Sequence, residues 1–331
     1  MLLGEVLTEK YFESENQAID WIIMAKDVNI PTHLGKVLSG AYQENWRAAC
    51  QEELDQMATR DVWEVLTKLP GMKTIGHHWV FDLKRNLDGT VEKIKARLIS
   101  RGDRQRPGID CAETYTLTAS LMSLHLLMGT AVLKGWQVAS FDVSGAYLYS
   151  PVEECILMEP PVNFLPALRG KVLHLKKALY GIRQAGGCWW KFLSGILERL
   201  GFVVTEVDQS LYIFQNGVSI IAIWIHVDDG VITLNTPSAI SDFRNAFCTE
   251  LNIKWLEKLT QIVGLECAIG KANMMRCSTT GPASGQNEVN CQNFGPDPFL
   301  VGHWFAGVPS PTTEHWELLD HVVGYLLKTR D

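Results

Sequence analysis

Ile221-Ala222-Ile223-Trp224-Ile225-His226-Val227-Asp228-Asp229-Gly230, followed by Val231-Ile232-Thr233-Leu234, decides how the chain is read. Two apolar, β-rich runs flank a polar tip, the pattern of a hairpin. Asp228-Asp229-Gly230 supplies the expected turn, because Asp-Gly accepts the backbone angles of a tight reversal. Two adjacent carboxylates beside a core are costly unless something positive neutralises them, and a divalent metal is one such partner. The same tip also reads as an ordinary solvated Asp-Gly turn, so the residues alone leave both open. A second apolar strand, Trp136 to Val143, ends in Phe141-Asp142-Val143. Laid beside the first, it brings Asp142 to Asp228, with Asp229 adjacent. Three carboxylates so grouped can hold two Mg²⁺ ions about 4 Å apart, the arrangement used for in-line phosphoryl displacement.

Outward from this hairpin, strands and helices interleave. The spacing of Trp46, Ala49, Cys50, Leu54 and Met57 predicts a helix over 41–57. His78 to Lys84 and Val91 to Ile99 read as strands joined by the turn signal Asn86-Leu87-Asp88-Gly89-Thr90. Further strands are expected at Trp63 to Leu66, Lys171 to Leu175 and Leu211 to Phe214. Helices are expected after Asp110 up to Lys134, from Cys188 to Leu200 behind a Gly186-Gly187 loop, and from Pro237 to Leu251. Lys271 to Ser310 has little periodicity and reads as irregular, whereas Thr312 to Asp331 regains helical spacing. The fold class is α+β.

Composition narrows the function. With 331 residues, 47% hydrophobic and 20% charged, the chain can bury a large core, which excludes a disordered tail or a disulfide-stapled mini-domain. Eight cysteines without a Cys-x-x-Cys pair, and no signal peptide at Met1, suggest reduced thiols in an intracellular protein, with cytoplasm and nucleus left open. The uncharged run Thr114 to Leu133 holds four Thr, two Ser and His125, so it is expected to be a buried helix rather than a membrane span. The net charge is −7, yet Asp82 to Arg106 carries eight Lys/Arg against four Asp/Glu, and Arg169 to Lys191 carries six Lys/Arg and no acid. Such islands are either local phosphate-binding surfaces or solvated faces.

The ordered motifs are recognisable. Lys95-Ala96-Arg97-Leu98-Ile99-Ser100-Arg101-Gly102, Pro107-Gly108-Ile109-Asp110 and Phe141-Asp142-Val143-Ser144-Gly145-Ala146-Tyr147-Leu148 come first. Leu175-Lys176-Lys177-Ala178-Leu179-Tyr180-Gly181-Ile182-Arg183-Gln184-Ala185, Val227-Asp228-Asp229 and Val263-Gly264-Leu265-Glu266 follow. Together, over about residues 41–270, they resemble the reverse transcriptase of copia-type LTR retrotransposon polyproteins, and 314–326 echoes a later stretch of the same polyprotein. The resemblance implies a right-hand polymerase: fingers about 60–140, a ferredoxin-like palm about 136–235 and a partial thumb about 236–270, behind an N-terminal extension over 1–40. It implies RNA-directed DNA synthesis with Asp142, Asp228 and Asp229 as ligands of two Mg²⁺ ions, for which Mn²⁺ can substitute. Tyr147 falls on the aromatic that blocks a ribose 2′-hydroxyl. Arg97 falls on the arginine over the incoming triphosphate, Lys84 is a looser candidate for its γ-phosphate, and Gln184 matches the glutamine near the nascent base pair. The implied partners are an RNA template, a DNA or RNA primer and dNTPs, with ribonuclease H and integrase domains absent from this chain.

Departures from the pattern keep an alternative open, a catalytically inactive remnant that binds RNA or RNA–DNA hybrid. His226 stands where Tyr is usual, Gly186-Gly187 replaces Pro-Arg, and Asp103 replaces an aromatic. Ser120 and His125 fall where arginines are common, and 271–310 does not match the family.

Overall fold

The computed structural model describes residues 28–279, apart from 40–41, 87, 107, 112–118, 207, 237–238, 257–258, 260, 263–264 and 270–274. Most of the expected N-terminal extension, residues 280–311 and the helix expected over 312–331 lie outside the described residues.

In chain order the first elements are α1 (Leu34–Val37), α2 (Gln43–Thr59), β1 (Trp63–Thr67), β2 (His77–Arg85), β3 (Val91–Ser100), α3 (Leu121–Lys134), β4 (Gln137–Val143), β5 (Leu157–Met158) and β6 (Lys171–Leu175). Then come α4 (Ala185–Arg199), β7 (Val203–Val204), β8 (Leu211–Asn216), β9 (Ser219–His226), β10 (Asp229–Leu234), α5 (Ala239–Glu250), β11 (Ile253–Leu256), β12 (Gln261–Ile262), β13 (Leu265–Ile269) and β14 (Met275–Thr279). The fold is α+β. None of the described helices is long and apolar enough to cross a membrane.

The chain forms two compact units, the smaller comprising residues up to Asp55 with Trp79–Leu98. There the β2–β3 hairpin follows the period of a one-sided sheet: Trp79, Phe81 and Leu83 are buried while Val80, Asp82 and Lys84 are exposed. Trp46 of α2 meets Phe81 edge to face, with ring centroids 5.5 Å apart. Burial, then the Glu53 charge, pushes the Cys50 thiol up to about 12, so it behaves as a packing residue.

The larger unit is built on an antiparallel six-stranded sheet in the order β11-β4-β10-β9-β8-β7. The path β4–α4–β9–β10–α5–β11 is a β-α-β-β-α-β unit whose strands stand in the order fourth, first, third, second. α5 and β11, expected as the start of a thumb, thus complete this sheet. One face packs Phe141, Ile223, Ile225 and Ile232 against Trp189, Leu193 and Phe247 of α4 and α5. The other packs Val138, Ala222, Trp224 and Val231 against Leu124, Leu127 and Met128 of α3. Cover on both sides is why β9 is almost continuously apolar. Separate three-stranded sheets join β1-β6-β5 and β12-β13-β14.

Two expectations are corrected. Gly186 and Gly187 do not form a loop before α4; they lie in its first turn, and Cys188 N–H already donates to the Gln184 carbonyl at 2.9 Å. The stripe Ala185, Trp189, Leu193 and Ile196 is buried, and that apolar face outweighs the weak helix propensity of two glycines. Met275–Thr279, read as irregular, is a strand because β13 supplies its ladder partner, a long-range fact that local patterning does not carry.

Candidate active site

The site begins with a turn that is one residue earlier than expected. His226 pairs with Asp229 and Ile225 with Gly230, so the reversal is Val227-Asp228 and Asp229 already belongs to β10. Val227 has φ +58°, and Asp228 is not among the positive-φ residues, which is the sign pattern of a type II′ turn. A β-branched residue in that region is a true outlier, costing about 1–3 kcal/mol, and persists only where its surroundings enforce it. Trp189 Nε1 donates to the Val227 carbonyl at 2.6 Å, and Val143 N–H donates to the Asp228 carbonyl at 2.8 Å. Gly230 is not the turn glycine. A Cβ there would lie 2.1 Å from Phe141 Cζ, so the missing side chain makes room for the ring of its cross-strand partner.

The register then lines up a row of side chains across four strands. Lys254 pairs with Asp142, Asp142 with Asp229, and Asp229 with His226. Cross-strand partners share a face with Cβ atoms about 4.5–5.5 Å apart, and like charges so placed repel. The row therefore sets two carboxylates face to face between two basic residues, with Asp228 next along the turn. The strand-end pattern brings Asp142 to Asp228; the register makes Asp229 its direct partner.

Tyr147 joins this group. Gly145, at φ +68°, turns the chain out of β4 into a short 3-10 turn over Ala146–Tyr149. Burial first, and the Asp228 charge second, push the Tyr147 phenol up, which places its hydroxyl in the field of that carboxylate. Its ring meets Tyr180 edge to face, with centroids 5.1 Å apart. Arg60 pins the turn from behind, donating to the Ser144 carbonyl at 3.0 Å and to the Tyr149 hydroxyl at 3.2 Å. Behind Val227 opens a cleft lined by Tyr147, Gly186, Trp189, Trp190 and Tyr212.

Gln184 lies elsewhere in the same unit. It is buried, its Nε2 donates to the Asp110 carbonyl at 3.1 Å, and its Oε1 accepts from Gln105 Nε2 at 3.0 Å. Both ends of the amide are engaged in fixing the basic loop. Lys84 and Arg97 belong to the smaller unit, on β2 and β3; Arg97 is half-buried, and exposed Lys84 pairs with Glu92 at 2.8 Å.

Much of the positive charge in the basic islands is answered internally. Asp103 accepts from Arg101 through both oxygens and lies 3.5 Å from Arg104. Arg106 grips Asp110 the same way and pulls its carboxyl down to about 2. Lys93 pairs with Glu52, and Lys176 with Asp61.

Three residues outside the motifs also support the site: Trp189, Arg60 and the buried Asp208. Asp208 accepts from Ser210 N–H at 2.9 Å and Ser120 N–H at 3.2 Å, tying the β7–β8 loop to the start of α3. Nothing local in the sequence marks them, since each acts on a partner far along the chain.

Among the described residues no three His, Cys, Asp or Glu side chains form a ready-made metal cage. Mg²⁺ asks for less: one or two carboxylates, with waters and substrate phosphates completing its octahedron. The facing Asp142 and Asp229, with Asp228 beside them, are hard oxygen donors of the kind it takes.

An α+β fold carrying this order of motifs is consistent with a reverse transcriptase domain. A family model described as reverse transcriptase (RNA-dependent DNA polymerase) matches residues 60–282, and the chain belongs to that family, in its copia-type retrotransposon branch. The chain is 34% identical over 225 residues to the retrovirus-related Pol polyprotein from transposon RE1 of Arabidopsis thaliana, covering 67% of this chain and 15% of that protein. The match to the polyprotein from transposon RE2 of the same plant is 28% identical, covering 87% of this chain and 23% of that protein. To the Transposon Ty1-MR1 Gag-Pol polyprotein of Saccharomyces cerevisiae the chain is 28% identical over 209 residues, covering 60% of this chain and 11% of that protein. The chain thus spans less than a quarter of the length of these relatives.

Proposed function

We propose that the chain is the polymerising part of a retrotransposon reverse transcriptase, adding dNTPs to a primer 3′-hydroxyl on an RNA template. The observation that carries this reading is the register that sets Asp142 opposite Asp229 beside the Val227-Asp228 turn. Carboxylates gathered at the end of a well-packed sheet are hard oxygen donors of the kind a divalent cation takes. Asp142, Asp228 and Asp229 are the residues that would hold two such ions, which when bound supply activation of the 3′-hydroxyl and stabilisation of the leaving pyrophosphate. Tyr147, its ring fixed against Tyr180, excludes a ribose 2′-hydroxyl by collision. Arg97 and Lys84 answer the triphosphate charge from a fingers hairpin, β2–β3. Gln184 serves the nascent base pair by holding the loop of Gln105 and Asp110 in place. The β-α-β-β-α-β sheet is the palm in this reading, and the remaining basic side chains bind template and primer phosphates in a salt-sensitive way.

Primer extension on poly(rA)–oligo(dT), with Mg²⁺ and then Mn²⁺, tests this directly. Extension by the natural sequence and none by Asp228→Asn is the expected result. Absence of extension with salt-sensitive hybrid binding intact would instead favour an inactive nucleic-acid-binding remnant. Internal pairing of Arg101, Arg104, Arg106 and Lys176 leaves fewer cations for phosphates and supports that second reading. Recovery of extension on His226→Tyr with Gly186→Pro and Gly187→Arg would mark those departures as the cause; proline is tolerated in a helix's first turn.

A further inference from the structure

We infer that Trp189 is a positioning residue: its indole N–H clamps the Val227 carbonyl and holds the strained turn that presents Asp228 and Asp229. Trp189 is 3% exposed and sits one turn into α4, where Leu193, Ile196 and Leu197 anchor the helix to the sheet. Its Nε1 lies 2.6 Å from the Val227 oxygen, and the ring is further fixed by Phe192 at 6.2 Å between centroids.

Both peptide carbonyls of the turn are therefore held from outside it, Val227 by α4 and Asp228 by Val143 of β4. The residue carrying the strain is the one the indole grips. Val227 at φ +58° has no glycine's freedom, so without an external hold its peptide would relax, and the two flanking carboxylates would turn with it. The clamp stands on a yielding base: Gly186 and Gly187 occupy the first turn of α4, immediately before it. No segment of the strand–turn–strand sequence announces this contact, because donor and acceptor are 38 residues apart.

The kinetic consequence rests on the polymerase reading, whereas the conformational one stands by itself. Trp189→Phe keeps an aromatic ring in the pocket and removes the only donor, so hydrogen exchange of the full chain, followed by mass spectrometry, reads the turn directly. The expected result is exchange of the Val227–Asp229 amides about tenfold faster, with the amides of the rest of α4 unchanged; loss of buried indole volume lowers the melting temperature in either case. In primer extension, kcat should fall about 10- to 100-fold while the KM for dNTP changes less than about twofold, as expected of a group that orients without touching substrate. Glycine at 227 removes the strain, so in a Val227→Gly background the same Trp189→Phe change should cost less than about threefold. Unchanged turn exchange in Trp189→Phe overturns the inference, as does faster exchange spread evenly through α4, which marks simple packing. If the natural chain extends no primer, the polymerase reading falls and turn exchange alone decides the role of Trp189.

Discussion

The two long hairpins of this protein solve the same problem by opposite means. In β2–β3 the reversal is made by its own sequence. Asn86 N–H donates to the Thr90 carbonyl at 2.9 Å, and Gly89 N–H to the Asn86 carbonyl at 3.0 Å. The Asp88 carboxylate accepts from the Thr90 hydroxyl and amide, which hold its pKa below the ordinary carboxylate value. The positive φ, +83°, falls on Gly89, where it costs nothing. In β9–β10 the positive φ falls on Val227, there is no glycine in the turn, and the turn carbonyls are satisfied by Trp189 and Val143. The first hairpin is encoded locally. The second is imposed by what surrounds it, as expected where geometry at a site matters more than its ease of folding.

The sharpest way to test this contrast is to remove the charge that β4 sets against the second hairpin. Asp142→Asn should lower nucleotide incorporation by about a thousandfold or more, the scale of losing an electrostatic group at a reacting centre. The same change should move thermal stability by less than about 1 kcal/mol, because it removes both the opposition to Asp229 and the attraction to Lys254. Primer extension and thermal unfolding of one preparation report both.

A methyl group added to each hairpin separates their glycines. Gly230→Ala drives a Cβ into the Phe141 ring and should cost about 1–3 kcal/mol in urea unfolding, with Phe141→Leu in the same chain recovering much of it. Gly89→Ala places an L side chain at a φ of +83°, a backbone cost of about 1 kcal/mol that no neighbouring substitution should rescue.

Acid should weaken both regions through histidine. Burial lowers the pKa of His77, at the start of β2, and of His125, on α3, below their usual 6.5. The unfolded chain then binds protons that the folded chain resists, so stability is full above pH 6.5 and declines as pH falls below it. Urea midpoints at neutral and mildly acid pH check the direction, and His125→Gln should shallow the decline. The smallest effect is expected at Gly187→Ala, which should raise stability by about 0.5 kcal/mol by firming the first turn of α4.

What was legible in the chain follows the same division. The strands of both hairpins, the helix Gln43–Thr59 and the amphipathic helices α4 and α5 are visible in periodicity, because alternation and 3.6-residue spacing are local records of burial. Asp142, Asp228 and Asp229 were legible as candidates through their place at apolar strand ends and in an ordered set of motifs. Local signals place the turn one residue too late: Asp-Gly is a strong one, but Gly230 answers Phe141 across the sheet rather than the turn. Gly186-Gly187 suggests a loop for a similar reason, since propensity speaks against a helix that tertiary burial enforces.

The sequence by itself determined the α+β class and the membership of the reverse transcriptase family, and it nominated the candidate carboxylates, because these rest on residue type, order and spacing. Only the tertiary structure decided which aspartate faces which, that Lys254 and His226 flank them, and that Trp189 and Arg60 hold the segments that carry the site. Register and long-range hydrogen bonds join residues tens of positions apart, and a strand shifted by one residue would present the other face of the same sequence. That shift changes no residue and every partner.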